Sequence, residues 1–387
     1  MSGISITTAW LSSASSVLAF QNLVHDRLRL AVTLTGITFA VVLISVQLGL
    51  FLGFADTTSS LIDHAGADLW IMAKGTRDID QSAPISERKL FQALTVPGVQ
   101  EAAELITEFN DFKKPDGGME SVIVVGFDTA KGLGAPWDII EGDVRSLNLS
   151  DTIMVDELYR EKLGITHIGQ TVEIGGTKAK VVGFTRHIRS FTQSPYIFAS
   201  LRSALDYSRI RRDQTKFILC QVGAGADISK VRDELTRQLA DVEVLATSAF
   251  SRRTQFYWLF TTGAGLAVLV AAAMGLMVGV VIVSQTLYAT TIDHLREYGT
   301  LRAIGAPARF IYGVIIRQAV LSAIAGYVLG LVVTIGIVFA AHNAGPAIFV
   351  PPGLAIGLFF VTIAMCVGAA TISIRRVTRI EPGAVLK

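Results

Sequence analysis

The sequence predicts a membrane protein: four transmembrane α-helices, with a large α+β extracytoplasmic domain between the first and the second. Three observations carry this prediction. Of the 387 residues, 51% are hydrophobic and only 17% charged, whereas a soluble domain carries about 25% charged residues. Four stretches stay apolar over the roughly 20 residues that a helix needs to cross a bilayer. Between the first two of them, residues 55–255 alternate strand-like with helix-like patterns instead.

Residues 1–29 are read as a cytoplasmic amphipathic segment. Trp10, Leu11, Val17, Leu18, Phe20 and Leu23 recur there at partly helical spacing, which fits a helix lying on the membrane surface or a frayed tail. The first span, 30–54, contains no charge. Its apolar run is longer than the roughly 7–15 residues of a signal-peptide core, and no A-x-A cleavage pattern follows, so it is expected to stay in place.

In 55–255, "DLWIMAKG", "SVIVVGFD", "DTIMVDE", "TVEIGG", "KAKVVGF", "SPYIFAS" and "TKFILCQVG" read as strands. "EIGGTKAKV" reads as a hairpin turning at Gly175–Gly176. "SERKLFQALT" starts at Ser86 and spaces Leu90, Phe91 and Leu94 as a helix does. "DISKVRDELTRQLADV" opens on a capping Asp227 and keeps Ile228, Val231, Leu235 and Leu239 on one face. Both ends of this domain feed directly into spans, so motion of the spans is expected to move it.

The second span, 256–287, holds Gly275 and Gly279 at GxxxG spacing, which lets helix backbones approach closely. These two glycines are candidates for packing, including a dimer seam. A charged loop, 288–310, follows. The third span, 311–341, carries one charge, Arg317, placed to snorkel back to the interface. A short loop at 342–353 has no Lys or Arg. The fourth span, 354–374, leads into a basic tail, 375–387, with Arg375, Arg376, Arg379 and Lys387.

Positive charge sets the orientation. Arg27 and Arg29 precede the first span, and Arg296, Arg302 and Arg309 fill the 288–310 loop. By the positive-inside rule both termini and that loop are cytoplasmic, in an inner (cytoplasmic) membrane, and 55–255 and 342–353 lie outside.

The same residues exclude several functions. A net charge of +2 offers nothing to nucleic acid. Cys220 and Cys366 fall in different compartments, so no disulfide framework is expected. Phosphate-loop, HExxH, CxxC and GxSxG patterns are absent. The six histidines are scattered, and no acid lies inside a span, which argues against a proton relay. "RHIRS", with Arg186 and Arg189, is a small basic cluster that suits either lipid headgroups or a solvated loop.

What stands out is "TIDHLREYGTLRAIGAPARF". Ile292, Leu295, Tyr298 or Gly299, Leu301 and Ile304 make an apolar stripe on a helix, with Asp293, Arg296, Glu297 and Arg302 around it. Gly305, Ala306 and Pro307 would end that helix. The pattern alone suits both a solvated connector and a docking element for a cytoplasmic motor.

"QTLYATTIDHLREYGTLRAIGAPARFI" resembles the signature loop of the MacB/FtsX-type ABC transporter permeases, and is most similar to the DevC type. "RRVTRIEPGAVLK" resembles the family's C-terminal ending and "NLVHDRLRLAVTLTGITFAV" its approach to the first span. "VVGFDTAKGLGAPWDIIEGD" and "IMVDELYREKLGITHIGQTVEIGGTKAKVVGF" resemble the MacB-type periplasmic core. The resemblance implies that 293–306 is a coupling helix seated in a separate cytoplasmic ABC ATPase. Leu295, Tyr298, Leu301 and Ile304 would give apolar contact, and Asp293, Arg296, Glu297 and Arg302 polar contact. This chain would bind no cofactor and catalyse nothing, with ATP and Mg held by the ATPase. It implies a second permease chain, a periplasmic adaptor, an outer-membrane tunnel, and lipidic or amphiphilic cargo moved outward by mechanotransmission. FtsX-like relay to a cell-wall hydrolase and LolC/LolE-like lipoprotein release remain alternatives within the same architecture.

Overall fold

The computed structural model describes residues 27–190, 192, 194–293, 300, 304, 307–341 and 348–377. The predicted surface segment up to residue 26, residues 342–347 of the 342–353 loop and the tail beyond 377 lie outside these residues. Two compact units divide the chain, Gly53–Gly265 and the remainder.

The first helix, α1 (Arg27–Asp63), is long and uncharged through its middle. Its last part belongs to the α/β unit and gives Leu61 and Ile62 to that unit's core. Next come β1 (Leu69–Ala73), β2 (Ile85–Ser86), α2 (Arg88–Leu94), β3 (Val99–Lys113), β4 (Met119–Phe127), β5 (Ile139–Glu141) and β6 (Thr152–Asp156). A single turn, α3 (Arg160–Leu163), precedes β7 (Thr171–Ile174), β8 (Thr177–Thr185), β9 (Tyr196–Ser200), α4 (Leu201–Tyr207), β10 (Gln214–Thr215) and β11 (Phe217–Val222). The unit closes with α5 (Ile228–Gln238), β12 (Val242–Ala246) and α6 (Thr247–Phe256).

Two sub-structures share one strand. β12, β1, β11 and the first half of β3 lie side by side in that order, all antiparallel. With α2 and α5 as crossovers this is a split βαβ arrangement. Helix residues Leu90, Ala93, Val231 and Leu235 share one core with Leu69, Ile71, Ala102, Ile218 and Val244 of the strands. The second half of β3 pairs with β4, and the order continues β9, β6, β8. β7 pairs with both β8 and β3, at Phe112↔Ile174, so these six strands close into a ring. Closure removes the open edges along which sheets aggregate.

Ring strands β4, β9 and β6 are buried on both faces, which explains their near-continuous apolar sequences. Val122, Val124, Ile153, Val155, Ile197 and Ala199 point into one core, with residues from β3, β7 and β8. Their alternates Ile123, Val125, Met154, Tyr196 and Phe198 join a second core with Trp70, Leu105, Phe217 and Phe250. Trp70 lies edge-on to Phe217 at 5.5 Å and tilted against Phe250 at 5.3 Å.

Local chemistry behaves as the residues require. Gly175 and Gly176 adopt φ of 56° and 83°, the left-handed pair that a two-residue hairpin needs. Asp227 caps α5 by accepting the Ser229 N–H at 2.9 Å. Ser86 sits in β2, and α2 begins two residues later. On α2 Leu90 is buried, but Phe91 and Leu94 face solvent.

The membrane unit consists of α1 with α7 (Ala264–Asp293), α8 (Ala308–Ala341) and α9 (Pro352–Val377). Among the described residues four helices are long and apolar enough to cross a membrane. The apolar run that begins near 256 is interrupted: Tyr257–Thr261 form a π-helical turn, Gly263 takes φ of 82°, and α7 starts after it.

Candidate functional site

The charged loop between α7 and α8 is described at its edges. Asp293 ends α7 and is exposed. The Ile304 N–H donates to the Thr300 carbonyl at 3.1 Å, the spacing of one helical turn, and the Ile304 side chain is 81% exposed. Pro307 precedes α8, and its carbonyl accepts the Phe310 N–H at 2.9 Å. Leu295, Arg296, Glu297, Tyr298, Leu301 and Arg302 lie outside the described residues.

Within the bundle α1 is the hub, because small residues let its neighbours in. An added Cβ at Gly275 would meet Leu43 at 2.3 Å, and one at Gly279 would meet Ala40 at 2.6 Å and Met365 at 2.9 Å. Both glycines of the GxxxG pair therefore face α1, with α9 beside Gly279, in their own chain. Gly36 receives Ile282 in the same way. On the other side of α1, Gly326 receives Ile37 and Gly330 receives Val41, and the Thr38 hydroxyl donates to the Gly326 carbonyl at 3.3 Å. The face of α7 away from its glycines carries Leu266, Val270, Met274, Met277 and Val281, all exposed at helical spacing.

In the α/β unit, the helix by which the chain comes in is clasped to the helix by which it leaves. Ser59 donates to Asp63 Oδ2 at 2.7 Å, Ser251 donates to the same oxygen at 3.3 Å, and Gln255 donates to Ser59 Oγ at 2.9 Å. Ser59 and Asp63 stand one turn apart on α1, as Ser251 and Gln255 do on α6, so one face of each helix meets the other. Beside this clasp, Arg253 of α6 donates through both terminal nitrogens to Glu243, at 2.7 and 2.8 Å. These bonds hold the Glu243 carboxyl below its usual range. Arg253 also donates to the Thr76 carbonyl at 3.3 Å.

The loop after β1 contains a buried carboxyl pair that the sequence pattern does not reveal. Asp78 Oδ1 accepts the N–H groups of Asp80 and Gln81, both at 2.9 Å. Asp78 Oδ2 and Asp80 Oδ1 are buried and lack a hydrogen-bond partner among the described residues. Burial, and then the neighbouring Asp78, push Asp80 up to about 7. A D-x-D pattern in a polar loop usually means solvated caps, so only burial reveals the pair.

Other sequence candidates resolve structurally. Arg186 pairs with Glu157, and Asp156 accepts the N–H of the buried Ile188, which pins the "RHIRS" loop to the domain. Cys220 and Cys366 are free and buried. Among the described residues no cluster of His, Cys, Asp or Glu is fit to hold a metal.

Comparison with known proteins matches residues 30–238 to the MacB-like periplasmic core domain and 269–382 to the FtsX-like permease C-terminal domain. An uncharacterized ABC transporter permease of Mycobacterium bovis is 25% identical over 358 residues, 92% of this chain and 94% of its own length. Another, of Mycobacterium tuberculosis, is 24% identical over 380 residues, covering 94% and 97%. The ABC transporter permease YtrF of Bacillus subtilis is 22% identical over 66% of this chain and 64% of its own. Among solved structures, the periplasmic region of MacB from Actinobacillus actinomycetemcomitans aligns with 50% of this chain and 96% of its own, at 10% identity and a TM-score of 0.39.

Proposed function

The chain belongs to the ABC transporter permeases with a MacB-like periplasmic core and an FtsX-like C-terminal part, and we propose that it couples a separate cytoplasmic ATPase to outward movement of lipidic or amphiphilic cargo. The supporting observation is the short charged segment between Asp293 and Ala308, set between two apolar spans, with Ile304 bare to solvent. The ATPase grips this segment as a coupling helix. Leu295, Tyr298, Leu301 and Ile304 fill an apolar groove, and Asp293, Arg296, Glu297 and Arg302 make polar contacts at its rim. ATP and Mg bind to the ATPase, and this chain is non-catalytic.

Force reaches the outer domain through the clasped α1 and α6, in the manner called mechanotransmission. Both termini face the cytoplasm. A second permease chain completes the transporter. Because Gly275 and Gly279 are filled within the chain, its seam runs along the bare α7 face from Leu266 to Val281. A periplasmic adaptor and an outer-membrane tunnel of the DevC-like kind extend the path outward.

Two pairs of substitutions test the coupling segment. Glu297→Ala with Arg302→Ala removes two charge-assisted contacts of about 1.5–3 kcal/mol each, so ATPase association should fall ten-fold or more and export with it. Leu301→Asp with Ile304→Asp should abolish both. Normal co-purification of the ATPase with this second pair would reduce the segment to a connector.

A further inference from the structure

We infer that the pocket between the turn after β1 and the end of α6 holds the phosphate headgroup of a phospholipid, in the leaflet that the α/β domain faces. The inference goes beyond the export reading and requires only that α7 crosses a bilayer.

The pocket measures about 340 Å3, and Gly75, Thr76, Arg77, Arg253, Phe256 and Tyr257 line it. Its place in the chain is the first argument. The Tyr257–Thr261 turn that forms one wall ends just before α7, whose apolar stretch starts at Ala264. Tyrosine and tryptophan gather at that depth because their amphipathic rings suit the boundary between headgroups and acyl chains, and Tyr257 and Trp258 open this turn. Here Phe256 is 63% exposed and Phe260 45%, so two rings are turned outward instead of into the core.

Charge is the second argument. Arg253 is matched by the bidentate Glu243. Arg77 is exposed, lies 5.9 Å from the centroid of the Tyr257 ring, and donates no hydrogen bond to a carboxylate among the described residues. Its neighbour Asp78 turns inward to the N–H groups of Asp80 and Gln81. Arg77 acts on the Asp78 carboxyl through charge alone, without a hydrogen bond to it, so the pocket offers a guanidinium with open donors, whose planar fork matches a phosphate with two parallel hydrogen bonds.

The third argument is rigidity. Thr76 donates to the Ala73 carbonyl at 2.7 Å and shares a hydrogen bond with Ser82 at 3.1 Å. Arg253 holds the Thr76 carbonyl from across the pocket. Gly75, at φ of 81°, turns the chain with no side chain to fill the space. Arg77 therefore projects from a fixed turn, and little order is lost on binding. A cation beside the exposed Phe256 ring fits an amphiphile with an anionic head. Free phosphate would leave that ring unused.

The full-length chain, purified in detergent, is titrated with dioctanoyl phosphatidylglycerol and read by native mass spectrometry. Arg77→Ala should weaken binding about ten-fold, as expected for one lost charge-assisted contact. Phe256→Ser should weaken it too. Its ring is mostly exposed, so this variant still reports should Arg77→Ala fail to fold. Arg202→Ala, an exposed cation on α4, should bind as the parent does. Equal binding of dioctanoylglycerol, which lacks the phosphate, overturns the proposal, as does parental affinity in Arg77→Ala. Competition by inorganic phosphate at the concentration of the lipid makes this a free-anion site and overturns it as well. Binding is read on the permease alone, so a failure of ATPase coupling neither mimics nor masks the result.

Discussion

His64 lies flat on Trp137, with ring centroids 4.3 Å apart and planes 8° from parallel. His64 follows directly on the end of α1, and its Nδ1 sits 2.8 Å from the Ser60 carbonyl. Trp137 in turn meets Phe198 of the ring edge-on at 6.2 Å. The end of α1 is thus fastened to the ring wall by one stacked pair. Trp137→Ala should lower stability by about 2–3 kcal/mol, the loss of a partly buried aromatic and its stacking. Phe91→Ala, a mostly exposed ring, should stay within about 0.5 kcal/mol. Thermal melts of the purified chain compare the two.

The helix clasp offers a way to separate coupling from docking. Gln255→Ala removes the bond to Ser59, and Asp63→Ala removes the acceptor of Ser59 and Ser251. Each partly buried hydrogen bond is worth about 1 kcal/mol, so the domain should fold. ATPase association should remain normal while export falls several-fold. Unchanged export in the double variant would remove the clasp from the transmission path.

Asp80 makes stability depend on pH in a defined direction. In the folded domain its carboxyl titrates at about 7, above the ordinary aspartate value of 3.8. The neutral carboxyl suits its buried place, and the charged form does not. Its contribution is therefore fully present below pH 4 and is lost as pH rises toward 7, by about 1.4 kcal/mol per pH unit across that window. Asp80→Asn cannot ionise, so its stability relative to the parent should rise between pH 4 and pH 7 and level off above. Parallel melting curves across this range would refute the assignment.

The glycines of the bundle should divide by what they face. Gly279→Ala puts a carbon 2.6 Å from the Ala40 Cβ, which cannot turn aside, so α1 and α7 must move apart and the melting temperature should drop. Gly275→Ala puts one 2.3 Å from a Leu43 methyl, which must shift, so the drop there should be smaller. Gly313→Ala and Gly336→Ala meet nothing within 4 Å and should be neutral, or more stable by about 0.5–1 kcal/mol.

Orientation is open to labelling. Single cysteines at Lys131 and at Arg296 should react with an impermeant thiol reagent from opposite sides of the membrane. Reaction of both from one side would overturn the four-span orientation.

The sequence by itself determined the four spans, the domain between the first two and most of the strands, because each is written in local apolar periodicity. It also marked the Gly175–Gly176 turn and the Asp227 cap, which depend on near neighbours only. It did not show β3, the longest strand. "VQEAAELITEFNDFK" is rich in alanine and glutamate and reads more readily as helix. The chain is extended there because β11 and β4 supply hydrogen bonds along it, and the pairing with β11 spans more than a hundred residues of sequence. Tertiary structure alone also decided that β7 closes the ring, that Gly275 and Gly279 meet α1 of their own chain, and that Asp78 and Asp80 are buried together. Each of these depends on which distant surface arrives, and a local pattern of residue types carries no record of that.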